Sequence, residues 1–509
     1  MARWWLCVCI VVALCVQVVR ADARQEVGKW QRFEAGWKNP SWEGNPFDLE
    51  FTGKFTSPSG RELEQIGFYA GEDTWKIYFM PDETGLWRFE TRSPDPELDG
   101  HTGSFRCVES DLPGVLQPAG SRWELSDSGA DYPVIWAPPR KNRWWAFRSL
   151  RPEDPLIRRQ LDFAQNTVGA RLLSIGDLAL APRDWAKDLP QSACPYVVGK
   201  EGERFYLPFW ERLNAKLDEA RERGMGIYIM FFTDDALKPD TLGIRPRSKA
   251  EKRLFRYAVA RLSCYPILLW DSGIDISEYR SNEWIDWYAR WFNEHDPWRH
   301  PVGSRSAGGS GGKHPETGTY YSYGKSTIPS RNELLQLLDR KEPTAFTDHW
   351  RPFINRGNWT HEKIRKVVWC CALSGGPAPF PDYSQGFSGD ASREEVVRGA
   401  HYVGYATRFL REQLRRPYAE LVPHDELIEE GRNAILAASP GREYVLYDES
   451  GGKVTLDLPA GPTRFKTVWH NPRTGRTIEA KTVNADGKTS FTSPSTGQDW
   501  VLHLYKASD

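Results

Sequence analysis

The amino-acid sequence predicts a multidomain chain: an N-terminal Ig-like β-sandwich, a central (β/α)8 TIM barrel and a C-terminal antiparallel β-sandwich. Three observations predict it. At 509 residues the chain is too long for one ordinary core, and two to four domains are expected. Both ends carry short alternating runs separated by turn residues, the pattern of small antiparallel sheets. Between them, apolar runs alternate with helical patterns, as βα units around a parallel sheet do.

The elements follow in chain order. Arg3, the apolar run "WWLCVCIVVALCVQVV" and the small residues "ADA" read as a signal peptide over residues 1–23. The apolar run is shorter than the roughly 20 residues a membrane span needs. A secreted chain, periplasmic or extracellular and without stable membrane insertion after signal removal, is therefore expected. Residues 27–115 form the first sandwich. In "TWKIYFMP" the alternate residues Trp75, Ile77 and Phe79 share one face and read as core.

The barrel is expected over residues 120–420. Its candidate strands are 132–138, 170–177, 226–235, 266–273, 301–306, 319–324, 343–350 and 376–383. Helices lie between them. In "EWIDWYARWFNEH" Trp284, Trp287, Tyr288 and Trp291 fall at i, i+3, i+4 and i+7. "FWERLNAKLDEARERG" places Phe209, Leu213, Leu217 and Ala220 on one stripe and ends at Gly224, a C′ position. Residues 427–509 turn to short strands again, with the tight turn "HNPRTGR" among them.

Composition excludes some functions and favours one mildly. The 67 basic and 68 acidic residues create no global field for nucleic acid or an anionic membrane. The 23 Trp, 20 Tyr and 23 Phe fill cores, and such rings also stack on sugar faces. After signal removal five cysteines remain: Cys107, Cys194, Cys264, Cys370 and Cys371. An odd, scattered set is neither a disulfide framework nor a zinc pattern. No metal cluster or phosphate loop appears, and "SAGGSGG" (306–312) lacks the Lys-Ser/Thr of a P-loop. No metal and no cofactor are expected.

Barrel chemistry sits at the C-terminal ends of the strands. That filter selects Asp177 after strand two, Asp234 and Asp235 after strand three, and Trp270, Asp271 and Asp275 around the end of strand four. Arg305 follows strand five and Lys325 strand six. Asp348, His349 and Trp350 close strand seven, and Asp382 and Tyr383 end strand eight. Several carboxylates on one face suit glycoside cleavage, in which one carboxyl protonates the leaving oxygen and another attacks the anomeric carbon or activates water.

The quoted residues carry a family resemblance over nearly the whole mature chain. The front, "WQRFEAGWKNPSWEGNPF…GEDTWKIYFMPDETGLWRFET", and the tail, "YVLYDESGGKVTLDLPAGPTRFKTVWHNPRTGR", resemble the flanking β-domains of secreted apiosidase-like glycoside hydrolases. The tail is similar to the domain often labelled collagen-binding, a label that rests on sequence likeness. "LLWDSGID" resembles the family's fourth-strand motif, and the resemblance puts Asp275 in the place of the acid/base Glu. "EPTAFTDHWRP" resembles the seventh-strand motif, with Asp348 in the place of the second catalytic carboxylate. Ile274 stands where the family carries an Asn. The other eleven residues selected above are expected to bind substrate.

The resemblance thus implies a secreted hydrolase of O-glycosidic bonds in a polysaccharide or oligosaccharide. Two alternatives stay open: a barrel that binds sugar without cleaving it, and an adhesin or matrix-binding protein acting through its sandwiches. His349 rather than Asp348 points inward if the strand register slips by one. Arg245, Arg247, Lys249, Arg305, Lys313, His314, Lys325 and Arg351 lie on the loops of the same face. They suggest an anionic glycan, since guanidinium groups pair well with carboxylate and sulfate. Two Asp in place of two Glu draw the carboxyls back toward their strands. That moves the pair toward the inverting separation of about 6.5–9.5 Å and away from the retaining one of about 5–5.5 Å.

Overall fold

The computed structural model describes residues 25–136, 155–176, 196–199, 202–232, 238–305, 313–324, 328–348, 360–378, 394–431 and 433–506. The N-terminal strands are β1 (Glu26–Gly28), β2 (Phe33–Lys38), β3 (Thr52–Thr56), β4 (Glu62–Ile66), β5 (Phe68–Gly71), β6 (Thr74–Phe79), β7 (Gly85–Arg92) and β8 (Thr102–Val108). They form one sheet in the order β1-β8-β7-β3-β4 and another in the order β2-β6-β5. Alternation puts Trp75, Ile77 and Phe79 on the inner face, where each is at most 1% exposed. The sandwich closes on stacked rings, Phe55 on Phe79 at 3.8 Å and Phe33 on Phe105 at 4.1 Å.

A small antiparallel sheet comes next, made of β9 (Leu116–Ala119), β10 (Arg122–Leu125) and β11 (Gly129–Asp131). The central region then supplies β12 (Ile135–Trp136) and β13 (Leu172–Gly176), the hairpin β14 (Tyr196–Gly199) and β15 (Gly202–Phe205), and β16 (Gly226–Phe232), β17 (Leu268–Gly273), β18 (Val302–Gly303), β19 (Tyr321–Gly324) and β20 (Thr344–Asp348). Strands β12-β13-β16-β17-β18 form one parallel sheet, and β19 pairs with β20 in parallel in another. Every residue of β16 and β17 is buried, as strands covered on both faces require.

Three departures from the sequence pattern matter. Residues 376–378 carry no strand; Pro377 has no N–H to offer a ladder. Residues 379–383 lie outside the described residues. Among the described residues no strand ladder joins β18 to β19, so a closed barrel is not seen. The β9–β11 sheet and the β14–β15 hairpin were not expected.

The helices bury the predicted stripes. Phe209, Leu213, Leu217 and Ala220 of helix Leu207–Glu222 are all buried, and Gly224 beyond its end takes φ 66°, the left-handed C′ conformation. Helix Asn282–His295 starts at Ser281, whose hydroxyl accepts from Trp284 N at 3.3 Å. It buries Trp284, Tyr288 and Trp291, while Trp287 lies at the rim.

The C-terminal strands are β21 (Val422–Pro423), β22 (Ile428–Glu430), β23 (Ala434–Ser439), β24 (Glu443–Asp448), β25 (Lys453–His470), β26 (Thr477–Thr492) and β27 (Trp500–Lys506). They form one antiparallel sheet ordered β21-β23-β24-β27-β25-β22, with β26 on β25. Register shifts at Leu458/Thr463 and Phe465/Thr467 break β25 into two halves. The first half pairs with β22 and the second with β27, and residues of both halves share a core with Leu436, Leu446 and Leu502. One apolar core runs through all three regions, taking Phe68 and Tyr78 from the front, β16 and β17 from the centre and Val445 and Tyr447 from the tail.

Candidate active site

Strand β17 alternates its side chains between two faces. Trp270 points to helix Asn282–His295: its ring packs against Phe292 at 4.9 Å and Phe231 at 5.8 Å. Its indole Nε1 donates to Asp296 Oδ2 at 2.7 Å. Asp271 points the other way, beside Met230 in the register. It is fully buried.

The Asp271 carboxylate is surrounded by donors. Oδ1 accepts from Gly273 N at 3.1 Å and Arg305 N at 2.8 Å; Oδ2 accepts from the Tyr320 hydroxyl at 2.8 Å. Burial pushes its carboxyl up to about 6, against the pull of those donors. The Arg305 side chain is buried as well, and its guanidinium donates to Met230 Sδ at 3.0 Å.

Beyond Asp271 the chain turns sharply. Gly273 has φ 144°, and a Cβ there would fall 2.4 Å from the carbonyl oxygen of Phe232, so only glycine fits. Ile274 N donates to that same carbonyl at 2.8 Å, and the Tyr279 hydroxyl donates to Ile274 O at 2.7 Å. Ile274 packs against the core. Asp275 follows in the left-handed conformation, φ 46° and ψ 42°, heading the short turn Ile276–Glu278. It is half-buried, and its carboxylate does not cap that turn.

The far side of the loop is held by Arg280 and Glu251. The Arg280 guanidinium donates to Ile244 O at 2.9 Å and Glu251 Oε1 at 3.2 Å, and pairs with Asp240. Glu251, fully buried, also accepts from Trp284 Nε1 at 2.9 Å and Arg247 N at 2.6 Å, and burial raises its carboxyl. Neither Glu251, Arg280 nor Tyr320 stands out in the sequence. Glu251 hides in "SKAE", which reads as a helix start, and Ser248 does accept from Glu251 N at 3.2 Å.

Asp348 is the last residue of β20, opposite Gly324 of β19; only its backbone position is described. Asp177, Asp234, Asp235, Lys325, His349, Trp350, Asp382 and Tyr383 lie outside the described residues. The structure thus brings Asp271 and Arg305 together in the interior, sets Asp275 on the loop above them, and turns Trp270 toward the helices.

Most cations expected around this face are already engaged. Lys249 pairs with Asp48 at 2.8 Å, Lys313 with Asp286 and Glu316, and His314 with Glu342 at 3.4 Å. Arg247 donates to Glu283 O at 2.8 Å and lies over the Trp287 ring. Among the described residues no three His, Cys, Asp or Glu side chains could hold a metal ion. No described helix is long and apolar enough to cross a membrane. A cleft of about 760 Å³ lined by Glu26, Glu109, Asp111, Arg171 and Gly224 lies where β13 and β16 begin, the end of a parallel sheet opposite to the one that takes ligands.

The comparisons with known proteins fit this geometry. Residues 26–94 match the family model "Domain of unknown function (DUF5060)", and residues 422–505 match "Putative collagen-binding domain of a collagenase". No curated protein sequence matches the chain. A solved structure of a "putative glycoside hydrolase" from Bacteroides vulgatus ATCC 8482 superposes on 95% of this chain and 100% of its own, with TM-score 0.75 at 18% identity. A glycoside hydrolase family 5 structure from the same organism covers 79% of this chain and 95% of its own, with TM-score 0.57 at 16% identity. A third structure, named only as a glycoside hydrolase, covers 79% and 99%, with TM-score 0.53 at 13% identity. At such identities the likeness is one of fold. The chain has a glycoside-hydrolase-like fold between a β-sandwich and a C-terminal sheet.

Proposed function

We propose that this chain is a secreted glycoside hydrolase that cleaves O-glycosidic bonds with Asp275 as general acid and Asp348 as nucleophile or base. The observation that carries the reading is the Asp275 loop. A half-buried carboxylate sits in a left-handed, strained conformation directly after the fourth parallel strand of a glycoside-hydrolase-like fold. Strain of this kind clusters at functional sites. Asp348 is the last residue of β20, the seventh in chain order of the central strands that pair in parallel.

The reading includes a closed (β/α)8 barrel. Two contacts support closure. Thr319 N donates to Val302 O at 2.9 Å, carrying β18 toward β19. The Tyr132 hydroxyl donates to Pro377 O at 3.3 Å, linking the eighth-strand segment to the start of β12. The reading includes export, which Arg3, the apolar run 4–19 and the small residues "ADA" support. The substrate class stops at a polysaccharide or oligosaccharide, because Lys249, Lys313 and Arg305, among the cations that suggested an anionic one, are engaged within the protein.

Screening the mature protein against plant and marine polysaccharides, alongside Asp275→Asn and Asp348→Asn, tests the assignment. Cleavage by the wild type with loss in both variants supports it. Full activity in both variants rejects it, and binding without cleavage by the wild type makes the chain a sugar-binding barrel. The anomer released first, followed by proton NMR, reads the carboxyl spacing: inversion is expected from the two shortened acids.

A further inference from the structure

The loop that carries Asp275 is anchored by two buried carboxylates, and only one of them touches the strand it leaves. Glu251, through Arg280, holds the far end. Asp271 holds the near end by accepting from Gly273 N, two residues on, in the manner of an Asx-turn. The same oxygen accepts from Arg305 N, so one atom ties the exit of β17 to the exit of β18. The second oxygen is held by Tyr320, whose ring lies over Gly303, where a Cβ would come within 2.5 Å of it. A buried carboxylate is a poor way to gain stability, since desolvation opposes it. What the carboxylate supplies is a common acceptor for three donors from separate parts of the chain, two backbone amides and a phenol, so it works as a joint between the ends of β17 and β18.

We propose that Asp271 is a positioning residue: it fixes the turn at Gly273 and thereby aims Asp275 at the substrate. This rests on the proposed glycosidase reading, in which Asp275 is the acid. Asp271 does not meet substrate itself, because it is fully buried. It acts by setting the dihedral angles of the residues between strand and acid. Arg305, Gly303 and Tyr320 support it, each placed by a neighbouring strand.

The test uses the mature full-length protein with Asp271→Asn, which keeps the oxygen that accepts from both backbone amides, and Asp271→Leu, which removes it. Hydrogen exchange of the amides of 273–280 is compared with that of helix Asn282–His295. The Leu variant is expected to speed exchange in the loop by about tenfold or more while the helix keeps its protection. The Asn variant is expected to stay near the wild type. Unchanged exchange in the Leu variant, or an equal rise in loop and helix, overturns the proposal. Should Asp271→Leu fail to fold, Tyr320→Phe removes the phenolic donor with the ring kept, and the same comparison applies. On any glycan the wild type cleaves, the Leu variant loses kcat with KM nearly unchanged, and the Asn variant restores it. If the wild type cleaves none, the glycosidase reading fails, and the exchange result still decides whether Asp271 holds the loop.

Discussion

The two ends of the central strands are built on opposite terms. At the ends where the strands begin, the buried Asp131 carboxylate is matched by two guanidiniums. Asp131 accepts from Arg171 Nε at 3.0 Å and Arg411 Nε at 2.9 Å, and Arg411 also reaches Gly169 O and Tyr132 O. Although burial works against it, the two guanidiniums hold the Asp131 carboxyl below its usual range. The β9–β11 sheet seals this end, with Trp123 Nε1 donating to Thr344 O at 3.0 Å and Leu116 N to Pro266 O at 3.0 Å. At the ends where the strands stop, Asp271 is held neutral-leaning by burial and Asp275 is strained. One end lowers the free energy of the fold, and the other spends some of it to hold a carboxylate in an unfavourable place.

The sharpest way to separate the ends is to change a carboxylate at each. Asp275→Asn is expected to lower the turnover of a verified glycan by about 10²–10⁴. Its unfolding midpoint should match the wild type, because Asn tolerates the left-handed conformation as well as Asp does. Asp131→Ala should do the reverse. It leaves Arg171 and Arg411 facing each other without their shared anion, at a cost of about 3 kcal/mol. Urea unfolding reads that loss, and kcat per folded molecule should not move. A kcat loss in Asp131→Ala without loss of stability would erase the contrast.

The comparison also shows how much the sequence tells. Periodicity found the strands β13, β16 and β17 and the helix stripes, because burial on both faces leaves long apolar runs and one-sided burial leaves a 3.6-residue repeat. It missed the β9–β11 sheet, whose strands are short and hold Gln117, Glu124 and Asp131 at or near their pairing positions. The turn at the end of β17 is legible in "DSGID", and Gly273 and Asp275 both take positive φ there; the chemistry proposed for Asp275 is a separate matter. Asp271 was read as a substrate ligand, and the structure places it in the interior. Only the depth of the strand distinguishes the two, and depth is a property of the assembled sheet. Tyr320, Arg280 and Glu251 come from other elements, so no local pattern links them to Asp275.

Acidity sharpens the contrast further. Unfolded, Asp271 ionises near its ordinary value of 3.8; folded, it keeps its proton to about 6. Between those values the folded chain binds more protons, so this group's contribution to stability is full below about pH 4 and is lost as pH rises through 6. Asp131, held low, works in the opposite sense, its contribution being present above its ordinary value and lost in acid. The difference in unfolding free energy between wild type and Asp271→Asn should change by up to about 2 kcal/mol from pH 4 to pH 7. A difference that stays flat over that range would mean that the carboxyl titrates alike in both states.

The smallest effect expected is a difference between two variants of one residue. Asp275 holds φ 46° and ψ 42°, a conformation that costs an L-residue about 1 kcal/mol and glycine almost nothing. Asp275→Gly removes that strain and also frees the unfolded chain, which takes back part of the benefit. Asp275→Ala supplies the control: it loses the same carboxylate contacts as Asp275→Gly but keeps the Cβ and the strain, so the difference between the two variants isolates the backbone. The Gly variant is expected to be the more stable by about 0.5 kcal/mol, a Tm difference of about a degree, with cleavage lost in both. If Ala and Gly unfold at the same temperature, the left-handed geometry costs nothing at this position. The end of the strands that carries Asp275 would then be no more strained than the end held by Asp131.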